Sequence, residues 1–384
     1  MMNRSIYLDY SATTPVDPRV IECMLPYFDQ QFGNPSSIHR FGQEADAAVQ
    51  KARDSISINL NCQQNEIVFT SCGSESDNLA LRGLAFAERQ SRAANQILIS
   101  PVEHHAVSVT ANQLSEFFDF ELEYLPIDEY GRVNIDSLNE RISSKTAFVS
   151  IIYANNEIGT VNPISEISLI CQQHGVPLHT DAVQATTYLP MDVEELQVDL
   201  LSIGAHKFYG PKGVGILYIH EGRKIFPTLT GGGQEYSLRA GTHNVPYIVG
   251  MAEALKIAMK EQKQRIDHVL PLRDYLIENV LNNIPNSKLT GHPRERLPNH
   301  ASFVFKQVDG NNLLMLLDLE GFSCSSGSAC RSGDPKPSDT LNALGLPDDW
   351  ALGSLRITLG TGTTYAQIEK FLEILPAAVK HAKL

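Results

Sequence analysis

The chain has 384 residues, of which 42% are hydrophobic, and a net charge of −13. A chain of this length can bury a large apolar core and is expected to divide into two domains. The acidic balance and the lack of a basic block argue against nucleic-acid binding. No apolar run is long enough to cross a membrane, no signal-peptide hydrophobic region opens the chain, and the six cysteines form no Cys-x-x-Cys pair. We therefore expect a cytoplasmic protein with reduced thiols.

Strand-like and helical runs alternate from about residue 16 to 255, for example at 96–100, 147–153 and 164–174. This alternation predicts an α/β fold, with a mostly parallel sheet covered by helices on both faces. A helix from about 245 to 283, interrupted by Pro271, is expected to bridge to a smaller α+β domain. That domain is predicted to contain residues 1–15 and 256–384.

A phosphate-binding turn is predicted early in the chain. Residues 66–70 read as a strand, 71–76 as a polar turn and 77–87 as a helix. The first turn of a helix has unpaired N–H groups and a positive dipole end, which together bind phosphate. Gly73 would allow a close approach of the backbone, and Ser74 would add a hydroxyl. The alternative is an ordinary helix with a serine cap.

A second strand end carries His179, Asp181 and Gln184. Alternate side chains of a strand share a face, and ligands of open α/β sheets bind beyond the carboxyl ends of the strands. A carboxylate that pairs with a pyridinium nitrogen, combined with a lysine imine, indicates pyridoxal phosphate. A metal site at His179 and Asp181 would need a third ligand, and no nearby residue has suitable spacing. We therefore predict no metal.

Lys207 follows an apolar strand-like run and precedes a second one, with Gly210 and Pro211 between them. Burial lowers the pKa of a lysine and makes its amine a nucleophile, as in Schiff-base lysines. The alternative is a lysine whose stem is buried while its ammonium group reaches solvent at the strand end. This segment alone does not separate the two interpretations.

Ordered motifs along nearly the whole chain resemble the cysteine desulfurases of the NifS/IscS-like group, in the class-V aminotransferase family. The motifs occupy 7–15, 33–39, 103–104, 155–159, 181–184, 206–207, 231–235, 239–242 and 325–330. The last reads Ser325-Ser-Gly-Ser-Ala-Cys330 and resembles the first of the two groups of this family. The resemblance implies the fold type I of pyridoxal phosphate enzymes, with a mostly parallel sheet of about seven strands in the large domain. It also implies that sulfur is removed from L-cysteine, which leaves L-alanine and a persulfide on Cys330.

The resemblance also implies roles for individual residues. Residues expected to hold pyridoxal phosphate are Gly73, Ser74, Asn155, Asp181, Gln184, His206, Lys207 and, from the second subunit, Thr242. Lys207 is expected to form the imine and to carry the Cα proton, and His104 to stack on the ring and handle protons at the substrate thiol. Asn155 and Arg356 are expected to bind the substrate carboxylate, which the fork of an arginine suits.

A second nucleophile is required because a lysine and a pyridine ring cannot accept sulfur, and a thiolate is the natural acceptor. Cys330 lies in a Gly/Ser-rich stretch that continues into 334–338. This composition is typical of a mobile loop, so we predict mobility from about 326 to 337. The alternative for any isolated cysteine is a small buried hydrophobic residue, which suits Cys62 and Cys171 better.

Several positions depart from the usual pattern of the family. Cys72 stands where glycine is usual, Ser74 where threonine is usual, and Ser11 where alanine is common. Gly204 stands where many relatives have a phosphate-binding hydroxyl, so that hydroxyl is expected to be missing or supplied elsewhere. Arg331 follows the cysteine where Thr or Ser is usual, and a neighbouring cation would lower a thiol pKa. None of these changes removes a catalytic residue.

The expected partners are L-cysteine, a second copy of the chain and a sulfur acceptor such as an iron-sulfur scaffold protein. Residues 231–235 and 239–242 resemble segments that cross a two-fold interface, which predicts a homodimer. Related alternatives are a selenocysteine lyase and a small-amino-acid aminotransferase, although transamination needs no loop thiol. A non-catalytic assembly scaffold is the alternative from another class, and the complete catalytic set argues against it.

Overall fold

The computed structural model describes residues 5–327 and 337–384. Its strands are β1 (Ile6–Tyr7), β2 (Ile67–Thr70), β3 (Gln96–Ile99), β4 (Glu121–Tyr124), β5 (Thr146–Ser150), β6 (Leu178–Asp181), β7 (Leu200–Gly204), β8 (Gly215–Ile219), β9 (Ser287–Leu289), β10 (His300–Phe305), β11 (Phe322–Ser323) and β12 (Ser354–Thr358). Cys330 and most of the segment predicted to be mobile lie outside the described residues.

The α-helices are α1 (Pro18–Met24), α2 (Pro26–Asp29), α3 (Arg40–Leu60), α4 (Gly73–Arg92), α5 (His105–Phe118), α6 (Ile135–Arg141), α7 (Ile164–Gln173), α8 (Val193–Leu196), α9 (Val245–Asn283), α10 (Gly310–Leu319), α11 (Asp339–Ala343), α12 (Asp348–Ala351) and α13 (Tyr365–His381). Short 3₁₀ turns occupy Gln64–Glu66, Ala205–Lys207 and Glu235–Ser237. No helix in the described ranges is both long enough and apolar enough to span a membrane.

Seven strands form the central sheet, in the order β2-β8-β7-β6-β5-β3-β4. β8 runs antiparallel to both neighbours, and the other pairs are parallel. The register places Asp181 opposite Ser202, and Gly215 opposite both Gly204 and Thr70. The carboxyl ends of β2, β6 and β7 therefore meet at one edge of the sheet. The predicted α/β class and the mostly parallel seven-stranded sheet are confirmed.

Both faces of the central sheet are buried, which explains why its strands read as continuous apolar runs. Alternate side chains enter different clusters: Ile67 and Phe69 join the larger one, and Val68 joins the smaller one. Helices α3 and α9 supply apolar residues to the larger cluster, whereas α4 and α5 supply them to the smaller one. The sheet is thus held between two layers of helices.

A three-stranded antiparallel sheet, ordered β12-β10-β9, lies in the second half of the chain. β1 pairs in parallel with β11, so the N-terminal segment joins this half. The larger apolar cluster includes residues from both halves, among them Leu8, Leu178 and Phe371. The predicted boundary between residues 255 and 256 falls inside the helix α9. We keep the division into 16–255 and 1–15 with 256–384 as a proposal.

Two helices differ from the sequence-based expectation. α4 begins at Gly73, four residues earlier than predicted, so Ser74 lies in its first turn instead of in a preceding loop. α9 continues through Pro271 as one helix of 39 residues. A proline removes one helical hydrogen bond, but the apolar residues of α9 on both sides of Pro271 are buried in the larger cluster. Packing therefore outweighs the local cost.

A buried ion pair fixes the segment that follows residue 231. Arg53 of α3 lies 2.6 Å from Glu235, and their side chains are 4% and 2% exposed. Glu235 also accepts hydrogen bonds from the Phe69 backbone at 2.7 Å and from His243 at 2.6 Å. Glu235, Tyr236 and Ser237 all have positive φ, a conformation that non-glycine residues rarely adopt. The ion pair and these hydrogen bonds hold this turn in place.

Arg53→Met should lower the free energy of unfolding by about 3–5 kcal/mol, because it leaves the Glu235 carboxylate buried without its partner. The matched control is Arg40→Met, because Arg40 is 89% exposed in its pair with Glu44. It should cost less than about 1 kcal/mol. Urea unfolding of both variants measures the difference, and equal midpoints would contradict the structural role of Arg53.

Candidate active site

A cavity of about 250 Å³ opens at the carboxyl edge of the central sheet. The residues around it come from several separate parts of the chain: Ser11, Ala12, Cys72, Gly73, Ser74, Asp77, His104, Ile152, Asn156, Asp181, Val183, Gln184, His206, Lys207 and Arg356. The sequence-predicted residues Gly73, Ser74, His104, Asp181, Gln184, His206, Lys207 and Arg356 thus lie together.

Lys207 lies in the 3₁₀ turn that follows β7, with its side chain half-buried. Its Nζ donates to the backbone carbonyls of Ser11 and Ala12, the latter at 2.9 Å. Burial lowers the pKa of Lys207 to about 8, and the positive charge of Arg356 adds to this effect. A substantial fraction of the amine is therefore neutral near physiological pH, as a nucleophilic lysine requires.

Asp181 ends β6 and is buried, with its Oδ1 accepting a hydrogen bond from the Val183 backbone at 2.9 Å. Burial raises the pKa of Asp181, while His104 and Lys207 act in the opposite direction. His104 caps α5 and accepts from the Ala106 backbone at 3.1 Å. Its ring is accessible from the cavity, and desolvation by the surrounding protein lowers its pKa. The positions of these two residues allow one to pair with a ring nitrogen and the other to contact a ring face.

The N-terminus of α4 lies at the turn that the sequence predicts to bind phosphate. A Cβ added at Gly73 would come within 2.6 Å of Val183, so only glycine fits this close approach without displacing that side chain. A Cβ at Gly204 would lie 3.3 Å from the Gly73 backbone nitrogen, and Gly204 therefore leaves this nitrogen uncrowded. Ser74 lines the cavity beside it. These features suit an anion at the helix N-terminus.

His206 lines the same cavity and directly precedes Lys207. Burial and the Lys207 charge lower the pKa of His206 to about 4, so its ring is neutral at physiological pH. Its Nδ1 lies 3.1 Å from Thr13 Oγ1. A neutral imidazole has one N–H, which can donate to an anion or to Thr13.

Arg356 lies on β12 and reaches the same cavity. Its guanidinium donates to Asp9 at 2.8 Å and to the Asn156 carbonyl at 3.0 Å. Its Nε is buried and has no hydrogen-bond partner within the described ranges. The backbone of Arg356 pairs with Ser325, at 2.7 and 3.3 Å, so the chain that leads towards Cys330 runs beside it. A second cavity, of about 510 Å³, shares His104 and Arg356 with the first and includes Gly327.

The structure does not place Asn155 at the cavity. Its amide donates to the Val102 carbonyl at 2.8 Å, and its Oδ1 accepts from the backbones of Glu157 and Ile158 at 2.8 and 2.9 Å. The neighbouring Asn156 lines the cavity instead. The role of Asn155 in holding the cofactor and the substrate stays a prediction.

Thr242 is exposed and is not among the residues that line the cavity. Its predicted contact with the phosphate of a second subunit stays a prediction. Sequence reasoning also missed Asp9, the partner of Arg356, and Asp77, which enters the cavity from α4. The only sequence signal for Asp9 was its place within the 7–15 motif, and for Asp77 its place directly after the polar turn.

The class-V aminotransferase family model matches residues 6–371 of the chain. Among curated proteins, the cysteine desulfurase IscS of Dictyoglomus turgidum is 46% identical, over 99% of this chain and 95% of that protein. The cysteine desulfurase IscS of Methanosarcina thermophila is also 46% identical, over 98% and 93%. The chain belongs to the class-V aminotransferase family, in its cysteine desulfurase branch.

Two solved structures superpose on nearly the whole chain. A NifS-like protein matches with a TM-score of 0.91 and 36% identity, over 98% of this chain and 100% of that one. A structure described as SspA in complex with cysteine matches with a TM-score of 0.80 and 32% identity, over 93% and 99%. The fold of this desulfurase-branch chain is therefore the NifS-like fold.

The donor set of the cavity fits a ring cofactor with three different chemical groups. The Asp181 carboxyl can pair with a pyridine nitrogen, and the Lys207 amine can react with a carbonyl carbon. The backbone at Gly73 and the Ser74 hydroxyl can receive a phosphate. These requirements match pyridoxal phosphate.

In the cofactor-free protein, Lys207 should react with an amine-acylating reagent with a midpoint near pH 8, against about 10.4 for an ordinary lysine. Arg356→Met should move that midpoint upwards, because one of the charges that lowers the Lys207 pKa is removed. Peptide mass spectrometry across a pH series measures both shifts, and Lys207→Arg identifies the labelled peptide. A midpoint above about pH 10 in the unaltered protein would contradict the burial effect.

Proposed function

We propose that the protein uses pyridoxal phosphate to remove sulfur from L-cysteine, which gives L-alanine and a persulfide on Cys330. The central observation is that Lys207, Asp181 and a helix N-terminus share one cavity with Arg356. The chain segment leading towards Cys330 pairs with Arg356 through the backbone of Ser325. The group that holds an amino acid and the segment that leads to the thiol are thus neighbours.

Six residues would hold the cofactor: Gly73, Ser74, Asp181, Gln184, His206 and Lys207. When bound, pyridoxal phosphate supplies an electron sink for negative charge at the substrate Cα. Asp181 would keep the ring nitrogen protonated, and burial strengthens this pairing because few waters compete for the carboxylate. His104 would cover one face of the ring and exclude water from it.

Arg356 would bind the substrate carboxylate through its guanidinium. Its hydrogen bonds to Asp9 and to the Asn156 carbonyl fix the plane of the fork before substrate arrives. Asn156 is the better candidate than Asn155 for a polar contact there, because the Asn155 side chain is already satisfied by backbone groups. The substrate is thereby oriented with its Cα towards Lys207.

Lys207 would move the proton at Cα. A base is most effective when its pKa lies near the working pH, and the pKa of Lys207 is lowered to about 8. His104 would take the proton of the substrate thiol, since the lowered pKa of His104 leaves the ring neutral and able to accept it. The two residues thus have separate protons to handle.

Cys330 would act as the nucleophile towards sulfur. Its thiolate forms a bond with the substrate sulfur as the carbon–sulfur bond breaks, and the released electron pair stays on carbon and takes up a proton. The sulfur would then pass to an acceptor, such as an iron-sulfur scaffold protein in the cytoplasm. Selenocysteine lyase and aminotransferase activities would use the same lysine and aspartate, but no feature of the described residues favours them.

Cys330→Ala should still bind pyridoxal phosphate and cysteine but lose sulfide and alanine production, because no thiolate accepts the sulfur. Lys207→Ala should lose the visible absorbance of the lysine-bound cofactor and fail at proton transfer. Cys324→Ala is the matched control and should stay active, because Cys324 packs against the apolar core and burial raises its pKa. An unchanged desulfuration rate in Cys330→Ala would overturn the mechanism.

We also propose a homodimer in which Thr242 reaches the phosphate of the partner subunit. Exposed apolar residues near α1–α3 support an interface, among them Phe32 at 64% and Ile38 at 93% exposure. Thr242→Ala should weaken pyridoxal phosphate binding by about tenfold, the loss expected for one hydrogen bond to a charged group. Cofactor titration and light scattering test this. A fully active monomer with unchanged cofactor affinity would contradict it.

A further inference from the structure

Asp77 is a buried carboxyl group for which the proposed mechanism has no use. It lies in the second turn of α4, is 1% exposed and lines the same cavity as Asp181. Ligand atoms of Asp77, His104 and Asp181 all lie within 4.8 Å of one another. Oδ1 of Asp77 is buried without a hydrogen-bond partner among the described residues. An ionised carboxylate in such a place would be costly.

Within residues 5–327 and 337–384, no lysine or arginine forms an ion pair with Asp77. His179 lies beside it, with its Nε2 3.6 Å from Oδ1 of Asp77. His179 is fully buried between the hydroxyls of Ser150 and Ser202, at 2.8 and 3.0 Å. Burial lowers the pKa of His179 to about 3, so its ring is neutral. It can exchange hydrogen bonds but cannot supply a positive charge.

The two aspartates differ in what surrounds them. Asp181 accepts a backbone hydrogen bond from Val183, and the charges of His104 and Lys207 favour its ionised form. Burial raises the pKa of Asp77 well above its usual range and the charge of Asp181 raises it further, whereas a hydrogen bond from Ser202 acts in the opposite direction. Like-charged carboxyls at this distance do not both ionise readily. The proton of the pair therefore belongs on Asp77.

We propose that Asp77 is a protonated positioning residue, which pairs with Asp181 and leaves the single negative charge on Asp181. A neutral Asp77 can donate its O–H to a neighbouring oxygen, and it adds no second charge beside the cofactor ring. This inference rests on the proposed function, because the charge on Asp181 has its purpose in pairing with the pyridine nitrogen. Asparagine has nearly the same shape as a protonated aspartate, carries no charge and keeps a hydrogen-bond donor. It should therefore substitute for Asp77 with little loss of affinity for pyridoxal phosphate.

The protonated state has a consequence for stability. The pKa of an aspartate carboxyl is about 3.9 in the unfolded chain, and burial makes it higher in the folded protein. At any pH between these two pKa values, the carboxyl takes up a proton when the protein folds. Its stabilising contribution is therefore lost as pH rises towards the folded pKa. The other ionisable groups that act on Asp77 are Asp181, Glu103 and Cys72, which all raise its pKa. His104 and neutral His179 complete its surroundings.

The experiment compares Asp77→Asn and Asp77→Leu with the control Asp267→Asn. The side chain of Asp267 is 60% exposed. Titration of the cofactor-free proteins with pyridoxal phosphate should give Asp77→Asn an affinity within about twofold of the unaltered protein. Asp77→Leu removes the donor and should bind at least about tenfold more weakly. An equal tenfold loss in Asp77→Asn would show that the charge is needed and would overturn the proposal.

A second readout does not involve the cofactor. As pH rises above the unfolded pKa of about 3.9, the urea midpoint of Asp77→Asn should fall less steeply than that of the unaltered protein, because one proton is no longer released. Asp267→Asn should keep the unaltered slope. Identical slopes in Asp77→Asn and the unaltered protein would mean that Asp77 is ionised throughout, and would also overturn the proposal.

Asp181→Asn separates this inference from the function on which it rests. It should weaken pyridoxal phosphate binding by more than about a hundredfold, because a charge-assisted contact is lost in a buried site. An unchanged affinity in Asp181→Asn would contradict the proposed cofactor site itself. A large loss in Asp181→Asn together with an equal loss in Asp77→Asn would contradict only the neutral role of Asp77.

Discussion

The burial of charged groups at one edge of the parallel sheet is the constraint on which the rest of the site depends. Parallel strands end at the same edge, and Asp181 and Lys207 follow the neighbouring strands β6 and β7. Desolvation raises the pKa of the carboxyl and lowers that of the amine, while their mutual attraction opposes both shifts. The fold thereby sets the charge of each group before any ligand binds.

The N-terminal segment connects the groups at this edge with the small sheet. The Ser11 carbonyl accepts hydrogen bonds from both Gln184 and Lys207, and Asp9 pairs with Arg356 at 2.8 Å. The same segment pairs with β11 through β1, and β11 directly precedes the chain that leads to Cys330. The residues proposed to hold the cofactor and the substrate carboxylate are thus linked to the segment that leads to Cys330. A shift in one of these elements would disturb the others.

Local sequence was sufficient for the main elements, whereas most of the cavity residues were predicted from the family resemblance. Apolar runs bounded by polar turns predicted the strands that precede Asp181 and Lys207, because strands buried on both faces carry little polarity. The start of α4 was predicted four residues late, since Ser and Gly suit turns as well as first helical turns. Pro271 was expected to interrupt α9, and core packing overrides that local preference.

The sequence by itself determined the class of fold and indicated the candidate reactive groups, because both depend on residue types in a fixed order along the chain. Only the tertiary structure decided that Asn156 instead of Asn155 faces the cavity and that Asp9 fixes Arg356. Such outcomes depend on distances between residues far apart in sequence, and on how much water each group has lost.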